Sequence, residues 1–368
     1  MIPYGGGTVP LLEGLDTSWA PFFAGGPRIT RCSEGEKARP VVENQLAPLF
    51  NRELEQFCGG SATDEGASTE PLVPPYEVID DGLRSGTVIP FLGAGASLGC
   101  RLAGTAADDP TTLPTGWELS QRLAKKTSFP KGSDPDLATV AQYFEVVSGR
   151  GDLHGALRDV FARDYEPGRL HRYLASIASP LLIVTTNYDD LIERALRDAG
   201  KAFGLVIHTT DAAARERLLW WPDGADEPES VLAKKLYIDL ETTTVVYKMH
   251  GAVDRALGER DQYVVTEDDY VDFLSRLLKK KAVPAIFAEP FQKRRFLFLG
   301  YGLRDWNLRV VLRSLKSMPG RPASDERPDW AIQKAPSLLE QELWRKRGVH
   351  IFDVPIDDFV TQLQPPAP

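Results

Sequence analysis

The run Pro180-Leu181-Leu182-Ile183-Val184-Thr185-Thr186-Asn187 constrains the fold more than any other stretch. Its apolar residues do not alternate with polar ones, so a strand built from it has no wet face. Strands of that kind sit in parallel sheets covered by helices on both sides. A second run, Thr87 to Leu92, passes directly into Gly93-Ala94-Gly95-Ala96-Ser97. A strand that enters a glycine turn and then a helix is how α/β proteins approach a phosphate. Glycine lets the backbone come close, and the amides at the helix start face the anion. The spacing Gly93, Gly95, Gly99 misses the dinucleotide pattern G-x-G-x-x-G by one position. A tight turn without a ligand therefore stays open as an alternative.

Two further strands end in the same manner. Thr244 to Met249 stops at His250-Gly251, and Phe296 to Leu299 stops at Gly300-Tyr301-Gly302-Leu303-Arg304-Asp305. Shorter strands are expected near 204–208, 263–265, 330–332 and 349–352. Helical periodicity fills the intervals at about 76–84, 116–126, 134–148, 152–163, 169–177, 190–199, 266–278 and 306–316. Strands alternating with helices predict an α/β fold, a doubly wound Rossmann-like parallel sheet with helices on both faces and a helical insertion. In such a sheet the carboxyl ends of all strands share one edge, where ligands bind. The four turns are expected to converge there.

The remainder of the chain frames this domain. Residues 1–75 are read as an N-terminal arm with one amphipathic helix at about 41–57, residues 76–360 as the main domain and 361–368 as a disordered tail. The irregular stretch 99–115 is expected to cover the site, and 209–243 is read as an insertion with Trp220-Trp221-Pro222 and an acidic turn at Asp223 to Glu229. Thr266 with Asp269 resembles a capping box, and Lys279-Lys280-Lys281 reads as a solvated helix end. A net charge of −9 argues against direct nucleic-acid binding through a broad basic surface. The start lacks a signal-peptide pattern, and no run of about 18 apolar residues would span a membrane. Three cysteines, Cys32, Cys58 and Cys100, form no C-x-x-C pair and are too few for a four-cysteine zinc site. A cytoplasmic protein without a metal is expected.

Each turn offers different chemistry. Gly93 to Ser97 offers amides. Thr185-Thr186-Asn187-Tyr188-Asp189 offers a carboxamide and a carboxylate. Lys248-Met249-His250-Gly251 offers an imidazole, which titrates near neutrality. Gly300 to Asp305 offers a second glycine turn and a carboxylate suited to ribose hydroxyls. Singly, each also has a structural reading: Asn187 or Asp189 as a cap of the helix at 190–199, His250 as a strand-end histidine, and Asp305 as an N-cap.

Taken together and in this order, the four motifs resemble the sirtuin family. Val264-Val265-Thr266-Glu267-Asp268-Asp269-Tyr270 and Gly300-Tyr301-Gly302-Leu303-Arg304-Asp305-Trp306-Asn307 resemble its bacterial anti-phage defence branch. The resemblance spans about 77–315. It implies a site for NAD as substrate, with Asn187, His250 and Asp189 as catalytic residues. Gly93, Ala94, Gly95, Ser97, Thr186, Gly300, Tyr301 and Asp305 would contact the dinucleotide, and Arg101 could reach a phosphate. The paired-cysteine zinc module of sirtuin deacetylases has no counterpart here, and Thr186 and Tyr188 replace their usual Gln and Ile. The resemblance thus implies an NAD+ glycohydrolase that releases nicotinamide and ADP-ribose in abortive-infection defence. An NAD-dependent protein deacylase and a non-catalytic NAD or ADP-ribose sensor are the alternatives. It further implies a homo-oligomer and a partner such as a HerA-type ATPase, with residues 1–75 as the candidate contact.

Overall fold

The computed structural model describes residues 72–100, 109, 112–130, 136–210, 217–255, 260–278, 283–302 and 327–364. These belong to one compact unit, Glu70–Pro368. Asp305, Arg101, the helices expected at 41–57 and 306–316, Lys279 to Lys281 and residues 365–368 lie outside the described residues; the expected tail is corrected at its start, where 361–363 finish a helix that buries Leu363.

The strands are β1 Val88–Leu92, β2 Leu182–Thr185, β3 Phe203–His208, β4 Arg217–Trp221, β5 Glu229–Leu232, β6 Thr244–Lys248, β7 Arg295–Leu299, β8 Asp329–Gln333 and β9 Val349–Asp353. They form one sheet in the order β5-β4-β3-β6-β2-β1-β7-β8-β9. The seven strands from β3 to β9 in that order are parallel. The chain winds outward from β1 on one side, then crosses to β7 on the other, so β1 lies at the topological switch point.

Two further expectations are corrected. The stretch 209–243 contains β4 and β5, which extend the sheet antiparallel from β3, so the sheet is mixed at that end. Polar ends and Pro222-Asp223-Gly224 disguise the pair as a loop, although Leu218 and Trp220 match the alternation of an antiparallel edge. Among the described residues, Tyr263-Val264-Val265 pairs with no strand. Its Val264 N–H instead donates to His250 O at 2.9 Å, which ties it to the site.

Alternation along the central strands splits the core into two layers. Ile89, Phe91, Ile183's neighbours Leu182 and Val184, and Phe296 and Phe298 face one side. Val88, Leu92, Ile183, Leu297 and Leu299 face the other. Helices α7 Glu267–Leu278, α8 Ala288–Lys293 and α9 Leu338–Arg345 cover the first layer. Helices α1 Tyr76–Arg84, α5 Arg169–Ser176, α6 Leu191–Asp198 and α10 Ile356–Leu363 cover the second. Burial of each large apolar side chain contributes about 1.5–3 kcal/mol, which explains why these strands tolerate no polar alternation.

A third core belongs to the helical insertion, α2 Gly116–Thr127, α3 Leu137–Ser148 and α4 Arg150–Phe161. Leu119, Val140, Phe144, Leu157 and Phe161 pack against Tyr188, Tyr263 and Val265 from the sheet edge. Thr115 and Glu118 form a capping box that starts α2. Asp269 N donates to Thr266 Oγ1 and Thr266 N to Asp269 Oδ2, at 3.1 and 3.0 Å, so the predicted box starts α7. The insertion therefore sits beside the carboxyl edge of the sheet.

Candidate functional site

Register explains why the four turns meet. Leu92 pairs with Leu299 on one side and Thr185 on the other, and Thr185 pairs with Lys248. Strands β7, β1, β2 and β6 thus end level, and Gly300, Gly93, Thr186 and Met249 each stand one residue beyond.

The two glycine turns interlock. Gly93 N donates to Leu299 O at 2.9 Å, and Gly95 N to Gly300 O at 2.8 Å. A Cβ on Gly95 would meet Gly300 O at 2.7 Å. Gly300 has φ +74° and a Cβ there would meet Ala96 N at 2.0 Å, so no other residue fits. The glycines are thus explained by backbone packing between the turns. Three amides, of Gly93, Gly95 and Ala96, donate within the protein. Ala94 and Ser97 line the open side, whereas Gly93 and Gly95 stand behind them.

Behind this cradle lies a cleft of about 1070 Å³, including its mouth. It brings together Ala94, Ser97, Thr186, Asn187, Asp189, His250, Gly300 and Tyr301 of the sequence-predicted residues. Asn187 is 9% exposed. Its Nδ2 donates to Gly93 O at 2.9 Å and approaches Ser97 Oγ at 3.4 Å. Ser97 Oγ donates to Asp189 Oδ2 at 3.2 Å, and Asp189 Oδ1 accepts from Leu191 N at 3.1 Å. Asp189 therefore holds the first amide of α6 as well as Ser97. Thr186 Oγ1 and the Tyr301 hydroxyl share a hydrogen bond of 2.5 Å across the cleft.

His250 is 8% exposed, edge-on to the rings of Tyr270 and Phe273 at 5.4 and 5.1 Å. Burial lowers its pKa from 6.5 to about 4, so the ring is neutral at pH 7. A neutral imidazole beside a carboxamide can accept a proton from water held in the cleft. Gly251 follows with φ +89°, where a Cβ would meet Gln262 O at 2.2 Å. That turn swings the chain away and leaves His250 at the edge.

Sequence reasoning missed a buried pair beneath these residues. Lys248 Nζ lies 3.0 Å from Glu193 Oε1, both side chains at most 3% exposed, and also donates to Asp189 O. The pair holds the backbone that carries Asn187 and Asp189. Glu193 lies in the first turn of α6 and looked like an ordinary helix charge. Met249, Tyr188, Tyr270, Phe161 and the Leu113-Pro114 pair also line the cleft. The last two come from the stretch expected to cover it.

Residues 181–352 match the family described as SIR2-like domain. That stretch is similar to SIR2-like domains. Three of the four motifs fall inside that span, and β1 with its glycine turn precedes it. The chain is 29% identical over 264 residues to NAD(+) hydrolase ThsA of Enterococcus faecium, covering 69% of this chain and 44% of that protein. It is 25% identical to Defense-associated sirtuin 2 of Bacillus subtilis, covering 77% and 24%. It is 30% identical to NAD(+) hydrolase ThsA of Acinetobacter baumannii, covering 58% and 38%. The chain thus spans less than half the length of these relatives. Among the described residues of this sirtuin-like chain, no helix is long and apolar enough to cross a membrane, and no group of three His, Cys, Asp or Glu side chains is placed to hold a metal ion.

Proposed function

We propose that the SIR2-like domain binds NAD in the cleft and hydrolyses its nicotinamide–ribose bond, releasing nicotinamide and ADP-ribose. The observation that carries this reading is the placement of Asn187, Ser97, Asp189 and neutral His250 on one cleft at the switch point of the sheet. Four relatives named as NAD(+) hydrolases support the substrate. The glycine cradle takes the pyrophosphate at Ala94 and Ser97, and Gly300 and Tyr301, together with Asp305, serve the adenosine side.

The chemistry follows from the groups present. The bond from ribose C1′ to the pyridinium nitrogen breaks, and its electron pair neutralises the ring as nicotinamide leaves. The carbon becomes oxocarbenium-like, and a water oxygen bonds to it. His250 takes the proton that this water loses, and the Asn187 carboxamide orients the water and the ribose. An imidazole with pKa about 4 is a weak base. It suffices because the water it deprotonates is already attacking a cationic carbon.

The biological role that fits is depletion of NAD in anti-phage defence, as one relative is named a defence-associated sirtuin. Residues 1–75 are the proposed contact with a further copy or a partner ATPase. The reaction is tested in oxygen-18 water by mass spectrometry. Hydrolysis places one heavy oxygen on C1′ of ADP-ribose. Unlabelled ADP-ribose, or NAD consumption only with an acyl-lysine peptide, refutes it.

A further inference from the structure

A second cleft lies on the far side of Tyr188, which lines both. It encloses about 1230 Å³, including its mouth. One wall is the exposed end of the sheet, where Phe203, Leu205 and Ile207 of β3 and Leu219 and Trp221 of β4 present a flat apolar surface. Trp221 is fixed in place, because its Nε1 donates to Ala225 O at 2.7 Å. Facing this wall is α6, with Glu193 and Arg197 one turn apart.

The charged groups of the cleft are mostly satisfied within the protein. Arg255 donates to Asp190 at 2.9 Å and also pairs with Asp164. Arg260 pairs with Glu227 at 3.3 Å, and Asp223 Oδ1 accepts from Phe203 N at 3.3 Å. Two groups remain. The exposed Arg197 guanidinium rests 5.9 Å from the Phe203 ring centroid and has no carboxylate partner among the described residues. Glu193 is 2% exposed, and its Oε2 has no hydrogen-bond partner among the described residues, although Oε1 holds Lys248.

A ligand that fits has a planar apolar body for the Trp221 wall, a hydrogen-bond donor for Glu193 at depth and an anion for Arg197 at the rim. We infer that this cleft is a second binding site, for a nucleotide: a heteroaromatic base bearing an amino group lies along the wall, and its phosphate meets Arg197. Glu193 also anchors Lys248 and, through it, the Asp189 backbone of the first cleft. The two sites therefore share a buried wall.

Isothermal titration of the full chain with AMP, adenosine and ribose 5-phosphate tests the assignment. AMP binds, and adenosine and ribose 5-phosphate each bind about tenfold or more weakly. Arg197→Glu weakens AMP about tenfold and leaves adenosine unchanged. Trp221→Leu, with its circular dichroism spectrum retained, weakens AMP and adenosine alike. AMP seated in the first cleft would be indifferent to Arg197→Glu, so equal affinity in wild type and that variant overturns the proposal. Absence of AMP binding up to about 5 mM overturns it as well.

Discussion

Asn187 Nδ2 donates to the carbonyl of Gly93 at 2.9 Å and so ties the end of β2 to the turn after β1. The same carboxamide stands 3.4 Å from Ser97 Oγ, which is itself bonded to Asp189. Structure and chemistry share this side chain. Asn187→Ala is expected to lose turnover and about 0.5–1.5 kcal/mol of stability, the net worth of the lost hydrogen bond, because Gly93 O keeps the bond from Ala96 N. Asn187→Asp keeps the shape but turns an acceptor toward that carbonyl, so it is expected to destabilise at least as much. Urea denaturation of both variants measures the difference.

Lys248 and Glu193 form a buried ion pair under the site. Removing one partner leaves an uncompensated charge, so Lys248→Met alone is expected to cost about 3–5 kcal/mol. The double variant Lys248→Met with Glu193→Leu removes both charges and is expected to recover most of that loss. It does not recover activity, because the Lys248 contact to Asp189 O is absent from it. Stability and turnover measured on the same three proteins separate the two roles.

Burial holds His171 and His250 at about 4 and His208 at about 3, against 6.5 for an exposed imidazole. Above pH 6.5 both folded and unfolded chains carry these rings neutral. Below it the unfolded chain binds protons that the folded chain refuses, so stability falls with pH until about 4. Three such rings give a slope approaching 4 kcal/mol per pH unit between pH 6.5 and 5. Both ring nitrogens of His208 lack a hydrogen-bond partner among the described residues. His208→Phe is therefore expected to reduce the slope by about one third, read from unfolding midpoints across that range. By the same shift, kcat/KM should stay level from pH 8 to 6 instead of falling with the ordinary imidazole.

The hydrogen bond between Thr186 and Tyr301 spans the cleft from β2 to β7. Thr186→Val and Tyr301→Phe each delete it without changing shape greatly. In a double-mutant cycle the coupling energy is expected to be about 0.5–1.5 kcal/mol. Additive losses would show that the two hydroxyls act separately.

The convergence of four turns was legible because strands with no alternation admit one arrangement, and a parallel sheet puts their ends on one edge. The level register of Leu299, Leu92, Thr185 and Lys248 sharpened it. The role of the glycines was not legible: Gly95 and Gly300 approach each other across two strands that are far apart in the chain. The Lys248–Glu193 pair was hidden for the same reason, since only the fold sets a strand-end lysine against the first turn of α6. Strands β4 and β5 were missed because half their residues are polar or partly exposed, as an edge hairpin requires.

The central claim is that this cleft cleaves NAD with Asn187 and His250. Release of nicotinamide and ADP-ribose, followed by chromatography after incubation of the full chain with NAD, tests it most directly. The expected result is equal amounts of both products from the wild type, and neither from folded Asn187→Ala or His250→Ala. Product formation undiminished in both variants contradicts the account.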